Sequence, residues 1–469
     1  MGYIKLLFKL ISMIKQVTWA TIFLMVGALS IQSCRKDPVE EITSIPTDYD
    51  KALMNAIDAA TNNVGVDMLI LPESNDFASI PQDPLNPLSN AKVQLGKLLF
   101  HETGLARNPR MEDVGTETYS CSSCHHAWAG FQANMQQGIG EGGMGFGISG
   151  EGRELNPIYP IDSIDVQPLR TPTAMNGAYQ KVMLWNGQFG ATGPNEGTEA
   201  MWDPASPVWN NQFGLEGLET QAIAGLSVHR MLINDELCEE INLYEDLFNI
   251  AFSNWPEETR YSVRTGGMAI GAYERTLLSN QTPFQDWLRG DYGAMTNSEK
   301  RGAALFFGKA ECSSCHNGPA LNSMTFYGLG MTDMEGNGTY GSSSANTANL
   351  GRGSFTGDAA DNFKFKTPQL YNLKDSPFLG HGGTYTSVRE VIEYKNAGLS
   401  ENSNVPETQL AEGFHPLNLS DNEITDLVNF LENGLYDDDL LRYNPQNLPS
   451  GNCFPNADPI SQIDQGCIQ

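Results

Sequence analysis

The sequence predicts a mainly α-helical protein made of two related units in tandem, with long Gly-rich loops between the helices. Three observations predict it. Apolar residues recur at helical spacing in several stretches. One pentapeptide, Cys-Ser-Ser-Cys-His, is spelled identically at 121–125 and 312–316. The residues around the two copies follow one order. Gly96-Lys97-Leu98-Leu99-Phe100 precedes the first copy, and Gly302-Ala303-Ala304-Leu305-Phe306 precedes the second. Downstream stand Arg170-Thr171-Pro172-Thr173-Ala174-Met175-Asn176 and Lys366-Thr367-Pro368-Gln369-Leu370-Tyr371-Asn372. Nine residues beyond each Asn come Trp185-Asn186-Gly187 and His381-Gly382-Gly383. Shared order and spacing mark an internal duplication.

Residues 49–61 and 92–100 carry apolar side chains at helical intervals, and 264–289 reads as one buried helix linking the units. Ser420-x-x-Glu423 is a capping box opening a helix whose apolar face is Ile424, Leu427, Val428 and Leu431. The Gly-rich stretches 138–152 and 335–358 make poor core; they suit the surround of a bound group or a moving lid, with plain disorder as the alternative for 335–358. The expected division is 1–33 signal peptide, 34–48 tether, 49–292 first unit, 293–440 second unit and 441–469 tail.

Cys-x-x-Cys-His is the attachment signature of c-type haem: two thiols bond the porphyrin vinyls, and the next residue ligates the iron. A redox dithiol does not require a His directly after the pair, and no further Cys pair completes a zinc cage. Two covalent haems are therefore expected, on Cys121, Cys124 and His125, and on Cys312, Cys315 and His316, in two cytochrome c-like domains. Arg170 and Lys366, in matching register, are candidates to pair with haem propionates; solvated surface charge is the alternative.

Such haems are attached outside the cytoplasm, and the N-terminus agrees. Lys5, Lys9 and Lys15 precede an apolar run from Val17 to Ile31 that ends at Gln32-Ser33-Cys34. This reads as a lipoprotein-type signal with Cys34 as the lipid-bearing residue, an uncleaved membrane anchor being the alternative; residues 35–48 form a polar tether. The expected location is periplasmic or at the outer membrane, in an oxidising space. There Cys453 and Cys467 are candidates for a disulfide, and Cys238 is expected as a buried or free thiol. A net charge of −28 argues against nucleic acid as a partner.

Both haem motifs, in this order and joined by Ala272-Tyr273-Glu274-Arg275-Thr276-Leu277 and Pro283-Phe284, resemble the bacterial di-haem cytochrome c peroxidases. That superfamily also holds the di-haem enzyme of methylamine utilisation, which oxidises a protein substrate. The resemblance runs from about Leu95 to Leu435. It implies H2O2 as substrate, reduced at the first haem with electrons from a small cytochrome c or cupredoxin that enter at the second. It also implies a Trp between the haems, here Trp185, and a homodimer.

The departures from the family pattern are specific. A Glu serves as acid–base catalyst in the family, whereas Leu226-Ser227-Val228-His229-Arg230-Met231 places His229 there. An imidazole can take a proton and return it, and Arg230 is a candidate to stabilise developing negative charge. His229 as a sixth iron ligand, or as a structural His, are the alternatives. No His lies between Ala127 and Gly225, so the blocking His of many members is missing unless Met135 or Met144 substitutes. At the second haem the family's distal ligand position falls on Lys395, with Tyr394 one residue away and Met324, Met331 and Met334 on the preceding loop. The family's calcium-binding Asn corresponds to Arg170, which puts calcium in doubt. An oxidase like that of methylamine utilisation and a non-catalytic electron-transfer cytochrome are the rival readings, Tyr394 ligation favouring the first.

Overall fold

Helix α1 (Asp48–Ala60) opens the computed structural model, which describes residues 45–467. The expected export segment and Cys34 lie outside the described residues. Thr47 and Asp50 form a capping box at the start of α1, which buries Leu53 and Ile57. Among the long helices that follow are α2 (Asn90–His101), α3 (Gly217–Val228), α4 (Val263–Glu274), α5 (Asn297–Phe307), α6 (Val388–Ala397) and α7 (Asp421–Asn429). A short α8 (Pro459–Asp464) closes the chain. Among the described residues strand is confined to two antiparallel pairs, β1 (Gly143–Met144) with β2 (Glu154–Leu155) and β3 (Phe326–Tyr327) with β4 (Phe365–Lys366). The mainly helical expectation holds, and Ser420 and Glu423 cap α7 as read.

One expected helix is wrong. The 264–289 stretch is α4, an irregular segment, and a separate turn of helix at Pro283–Leu288. Pro283 disfavours helical geometry in Thr282 and begins the second helix cleanly, but α4 has already ended at Glu274 with Arg275 as its C-cap. The 138–152 loop is a built part of the body, carrying β1, and within 335–358 lie a 3-10 turn at Thr347–Leu350 and a helical turn at Gly353–Thr356.

Around the two pentapeptides the same local devices recur. α2 crosses α4 where Gly96 stands, and a Cβ there would come within 1.8 Å of the Ala269 carbonyl oxygen. α5 crosses α7 at Gly302, where a Cβ would lie 2.0 Å from the Asp426 carbonyl oxygen. The repeated Gly of the two Gly-x-x-Leu-Phe segments is thus the contact that lets two helix backbones meet. Each Cys-Ser-Ser begins as a 3-10 turn, Cys121–Ser123 and Cys312–Ser314. Phe131 and Leu321 both hold positive φ, 55° and 47°, as do Asn176 and Asn372 at 55° and 56°.

Among the described residues the two larger apolar cores lie one at each motif. The first gathers Leu95, Leu99, Ile223, Ala269 and Tyr273; the second gathers Ala303, Phe306, Ile392, Leu427 and Phe430. Packing crosses the boundaries expected at 292 and 440. Leu53 and Ile57 of α1 belong to the second core, and Leu440 and Tyr443 to the first. The tail beyond Tyr443 wraps the first motif: the Ser120 and Ser123 hydroxyls donate to the Pro455 carbonyl at 3.0 and 3.2 Å. A Cys453–Cys467 disulfide closes this tail, as the spacing predicts.

Candidate functional site

Cys312, Cys315 and His316 line a cavity of about 330 Å³. His316 Nδ1 lies 3.1 Å from the Leu321 carbonyl and 3.0 Å from that of Pro368. A carbonyl only accepts, so Nδ1 carries the proton and Nε2 keeps its lone pair, the tautomer an iron ligand needs. His125 is set the same way, with Nδ1 3.3 Å from the Phe131 carbonyl and Pro172 in the part of Pro368. Phe131 and Leu321, both with left-handed backbone, therefore aim the acceptors that orient each His. Burial lowers the pKa of both imidazoles to about 4, so both are neutral at physiological pH.

The four motif thiols are free, although the chain forms a disulfide elsewhere. Burial raises Cys124 and Cys312 to about 12, which keeps them protonated rather than thiolate. Among the described residues no cluster of three or more His, Cys, Asp or Glu side chains is arranged around a metal ion.

The wall of this cavity at the second motif carries two buried cations. Arg170, 2 % exposed, donates to the Met135 and Ala133 carbonyls at 2.6 and 2.9 Å, to Gln132 Oε1 at 3.0 Å and to the Ser376 hydroxyl. Lys366, 6 % exposed, donates to Gln180 Oε1 and to the Val182 carbonyl. Neither forms an ion pair with a carboxylate among the described residues, and burial lowers them to about 9 and about 7. Uncompensated buried charge is expensive, and the propionates of a haem are the anions this cavity calls for. The residues fit a haem. Sequence register put one cation at each haem; the fold brings both to the second. Arg170 also stands in the register of the calcium-binding Asn, and a second cation beside its guanidinium would meet like charge.

Trp185 lines the same cavity, its indole N–H donating 2.8 Å to the Arg170 carbonyl and its ring edge-on to His381 at 6.4 Å. Of the candidate distal ligands, Lys395 and Met331 line the cavity. Tyr394 does not: its hydroxyl donates to the Leu329 carbonyl, and its ring packs with Tyr385 and Phe414. The Tyr394 candidate is corrected on that ground. Adjacent helical residues point about 100° apart, so Lys395 facing the cavity turns Tyr394 away. Met324 and Met334 are not in the cavity wall.

At the first motif, His229 caps the C-terminus of α3, and its Nδ1 lies 2.7 Å from Asp165 Oδ2. His229 and Asp165 are close enough to His125 and Cys124 respectively to perturb their titration. Arg230 follows with φ at 58°, which swings its side chain off the helix. Its guanidinium pairs with the buried Glu141 carboxylate and donates 3.0 Å to the Ser163 carbonyl. Arg230 was expected to stabilise charge at the reacting atoms; Glu141 neutralises it instead.

Sequence reasoning missed Asp165, Glu141 and Glu274. Burial, with Glu219 nearby, raises the Glu274 carboxyl to about 8 despite the opposing pull of Arg275, and it sits within electrostatic reach of Cys121. No local pattern marks Asp165 or Glu141, because their partners His229 and Arg230 are far away in the chain.

A mainly helical body with two Cys-x-x-Cys-His units, each with a neutral, carbonyl-oriented His, defines a di-haem c-type protein. Residues 90–293 match the family model described as di-haem cytochrome c peroxidase. The chain is 28 % identical over 357 residues to the methylamine utilization protein MauG of Methylorubrum extorquens, covering 76 % of this chain and 81 % of that one. It is 28 % identical over 407 residues to the cytochrome-c peroxidase IdrP1 of Pseudomonas sp. strain SCT, covering 81 % and 89 %. In fold it is similar to the crystal structure of a MauG-like protein associated with microbial copper homeostasis, with a TM-score of 0.56 at 24 % identity, covering 79 % and 96 %. Over residues 90–293 the chain is thus similar to the di-haem cytochrome c peroxidases, and it is an oxidoreductase with two covalent c-type haems.

Proposed function

We propose that this protein is an exported peroxidase that reduces H2O2 to water with two protons and two electrons, the electrons coming from a small cytochrome c or cupredoxin. The observation that carries it is the pairing of an oriented His125 with His229 nearby, in a chain that repeats the same haem-binding devices at His316. The two units are read as copies of one domain, 49–292 and 293–440, and the glycine crossings at Gly96 and Gly302 support that reading. Cys121, Cys124 and His125 would hold the first haem, which would supply the electrons needed to break the O–O bond. His229 takes the proton from one peroxide oxygen through Nε2 and returns it to the other, since Nδ1 is engaged by Asp165. Trp185 packs between Arg170 and His381 and is read as the relay from the second haem. Lys395 or Met331, both lining that cavity, would be the further residue that holds the second haem. Export and anchoring through a lipidated Cys34, and a homodimer, complete the reading. Among the described residues no helix is long and apolar enough to cross a membrane, so anchoring rests on the N-terminal segment.

The oxidase of methylamine-utilisation type, favoured by Tyr ligation at the second haem, loses that support because Tyr394 is bonded elsewhere. The test is an EPR spectrum of the oxidised protein, followed by rapid mixing with H2O2, for wild type and His229→Ala. A high-spin haem whose fast peroxide reaction falls by about 10²-fold or more in the variant supports the reading. Two low-spin haems, one becoming high-spin in His229→Ala, would make His229 a ligand and overturn it.

A further inference from the structure

We propose that Asp165 is the positioning residue of a His–Asp pair, fixing the His229 ring so that Nε2 faces the peroxide; this rests on His229 being the acid–base group. His229 ends α3, and the left-handed turn at Arg230 carries the chain away at once. The ring has one bonded nitrogen, Nδ1, and its partner is the buried Asp165 carboxylate at 2.7 Å. An ionised carboxylate accepts and never donates, so Nδ1 holds the proton and Nε2 is left to exchange one.

The carboxylate is itself held. Asp165 N–H donates to the Glu141 carbonyl and Gly140 N–H to the Asp165 carbonyl, both at 2.9 Å. A Cβ on Gly140 would come within 2.5 Å of Asp165 Oδ2, and one on Gly138 within 2.9 Å of Cys124 Sγ. One glycine-rich run therefore packs against a haem-bearing Cys and, two residues later, against the carboxylate that orients His229. That common clamp gives the 138–143 glycines a function beyond looping. The charged and titratable groups around the imidazole are Asp165, His125 and Arg230, the last already paired with Glu141; the Tyr119 hydroxyl is buried and unpartnered near Asp165. Burial acts to lower the His229 pKa, yet the Asp165 charge and hydrogen bond outweigh it and hold the imidazole above its ordinary value.

The experiment uses the haem-loaded protein as wild type, Asp165→Asn, Asp165→Glu, His229→Ala and the Asp165→Asn/His229→Ala double variant. Two readouts are followed against pH: the rate of reaction with H2O2, and the rate of cyanide binding to the oxidised protein, in which HCN must lose its proton. In Asp165→Asn both rates should fall at least tenfold, and their acid limb should move to lower pH because the raising charge is gone. Asp165→Glu should recover part of the loss, and the double variant should be no slower than His229→Ala. Asp165→Asn with wild-type rates and an unmoved acid limb would overturn the proposal, as would a double variant much slower than His229→Ala. If His229→Ala itself reacts normally, the acid–base reading fails instead. Should Asp165→Asn not load haem, Asp165→Glu decides on its own: wild-type limb position supports the pair, and a limb moved to lower pH with normal haem content refutes it.

Discussion

Lys395 enters the second cavity with its ammonium lowered to about 8, burial being the main cause. That lowers the cost of presenting a neutral amine to iron, which for an ordinary lysine at pH 7 is about 4–5 kcal/mol. Met331 reaches the same cavity with a soft thioether that needs no deprotonation. We predict that Lys395→Ala turns the second haem from low-spin to high-spin in the oxidised EPR spectrum while Met331→Ala leaves it low-spin. The reverse result assigns Met331. Register alone placed Lys395 at this position and kept Tyr394 as the candidate one residue away, since a one-residue slip in sequence costs nothing on paper. In the fold it turns the side chain about 100°, and Tyr394 finds a carbonyl instead of the cavity.

Helix crossings set the element scale. Gly302 lies where α5 meets α7, and an alanine Cβ would sit 2.0 Å from a backbone oxygen that cannot move without α7. Alanine would favour the helix by about 1 kcal/mol, but overpacking costs about 1–3 kcal/mol, and backbone contact puts this site at the upper end. Gly302→Ala should therefore lower Tm by several degrees. Gly225→Ala in α3 is the control: its nearest neighbour is His229 Cδ2 at an ordinary 3.8 Å, so it should be neutral or stabilising. The repeat of Gly-x-x-Leu-Phe was legible from sequence, and its spacing from the haem motif too. That the Gly is a crossing point was not, because the partner helix lies about 125–175 residues further on and carries no matching signal. The 264–289 misreading has the same root: apolar periodicity continues through a segment where the helix stops at Glu274.

On the scale of the whole molecule, α1 is tied to the second core by a buried charge. Asp50 accepts from the Trp287 indole at 2.7 Å and pairs with Lys300 at 2.7 Å. Burial alone would raise the Asp50 pKa, but the bonds from Lys300, Thr47 and Trp287 bring it down to about 2. A depressed carboxyl stabilises the fold above its unfolded pKa of about 3.9, and that stability is lost as pH falls through the folded value. Acid unfolding of the wild type should thus steepen between about pH 4 and about pH 2. Asp50→Asn should be less stable at pH 7 and flatter across that window, as read by circular dichroism. Equal slopes would place the acid sensitivity elsewhere.

Taken by itself, the sequence determined the covalent chemistry: two thiol pairs, each with its His, and a recurring order of landmarks around them. Those follow from local spacing, because thioether attachment and iron ligation need residues within five positions of one another. Capping boxes, helix periodicity and the Cys453–Cys467 pairing were legible for the same reason. Only the tertiary structure decided which side chains surround that chemistry. Asp165 reaches His229 across 64 residues, Arg170 and Lys366 converge on one cavity, and Glu141 takes up Arg230. Contacts of that kind leave no periodic trace, since their partners meet through backbone clamps and helix crossings that form only when the two cores close.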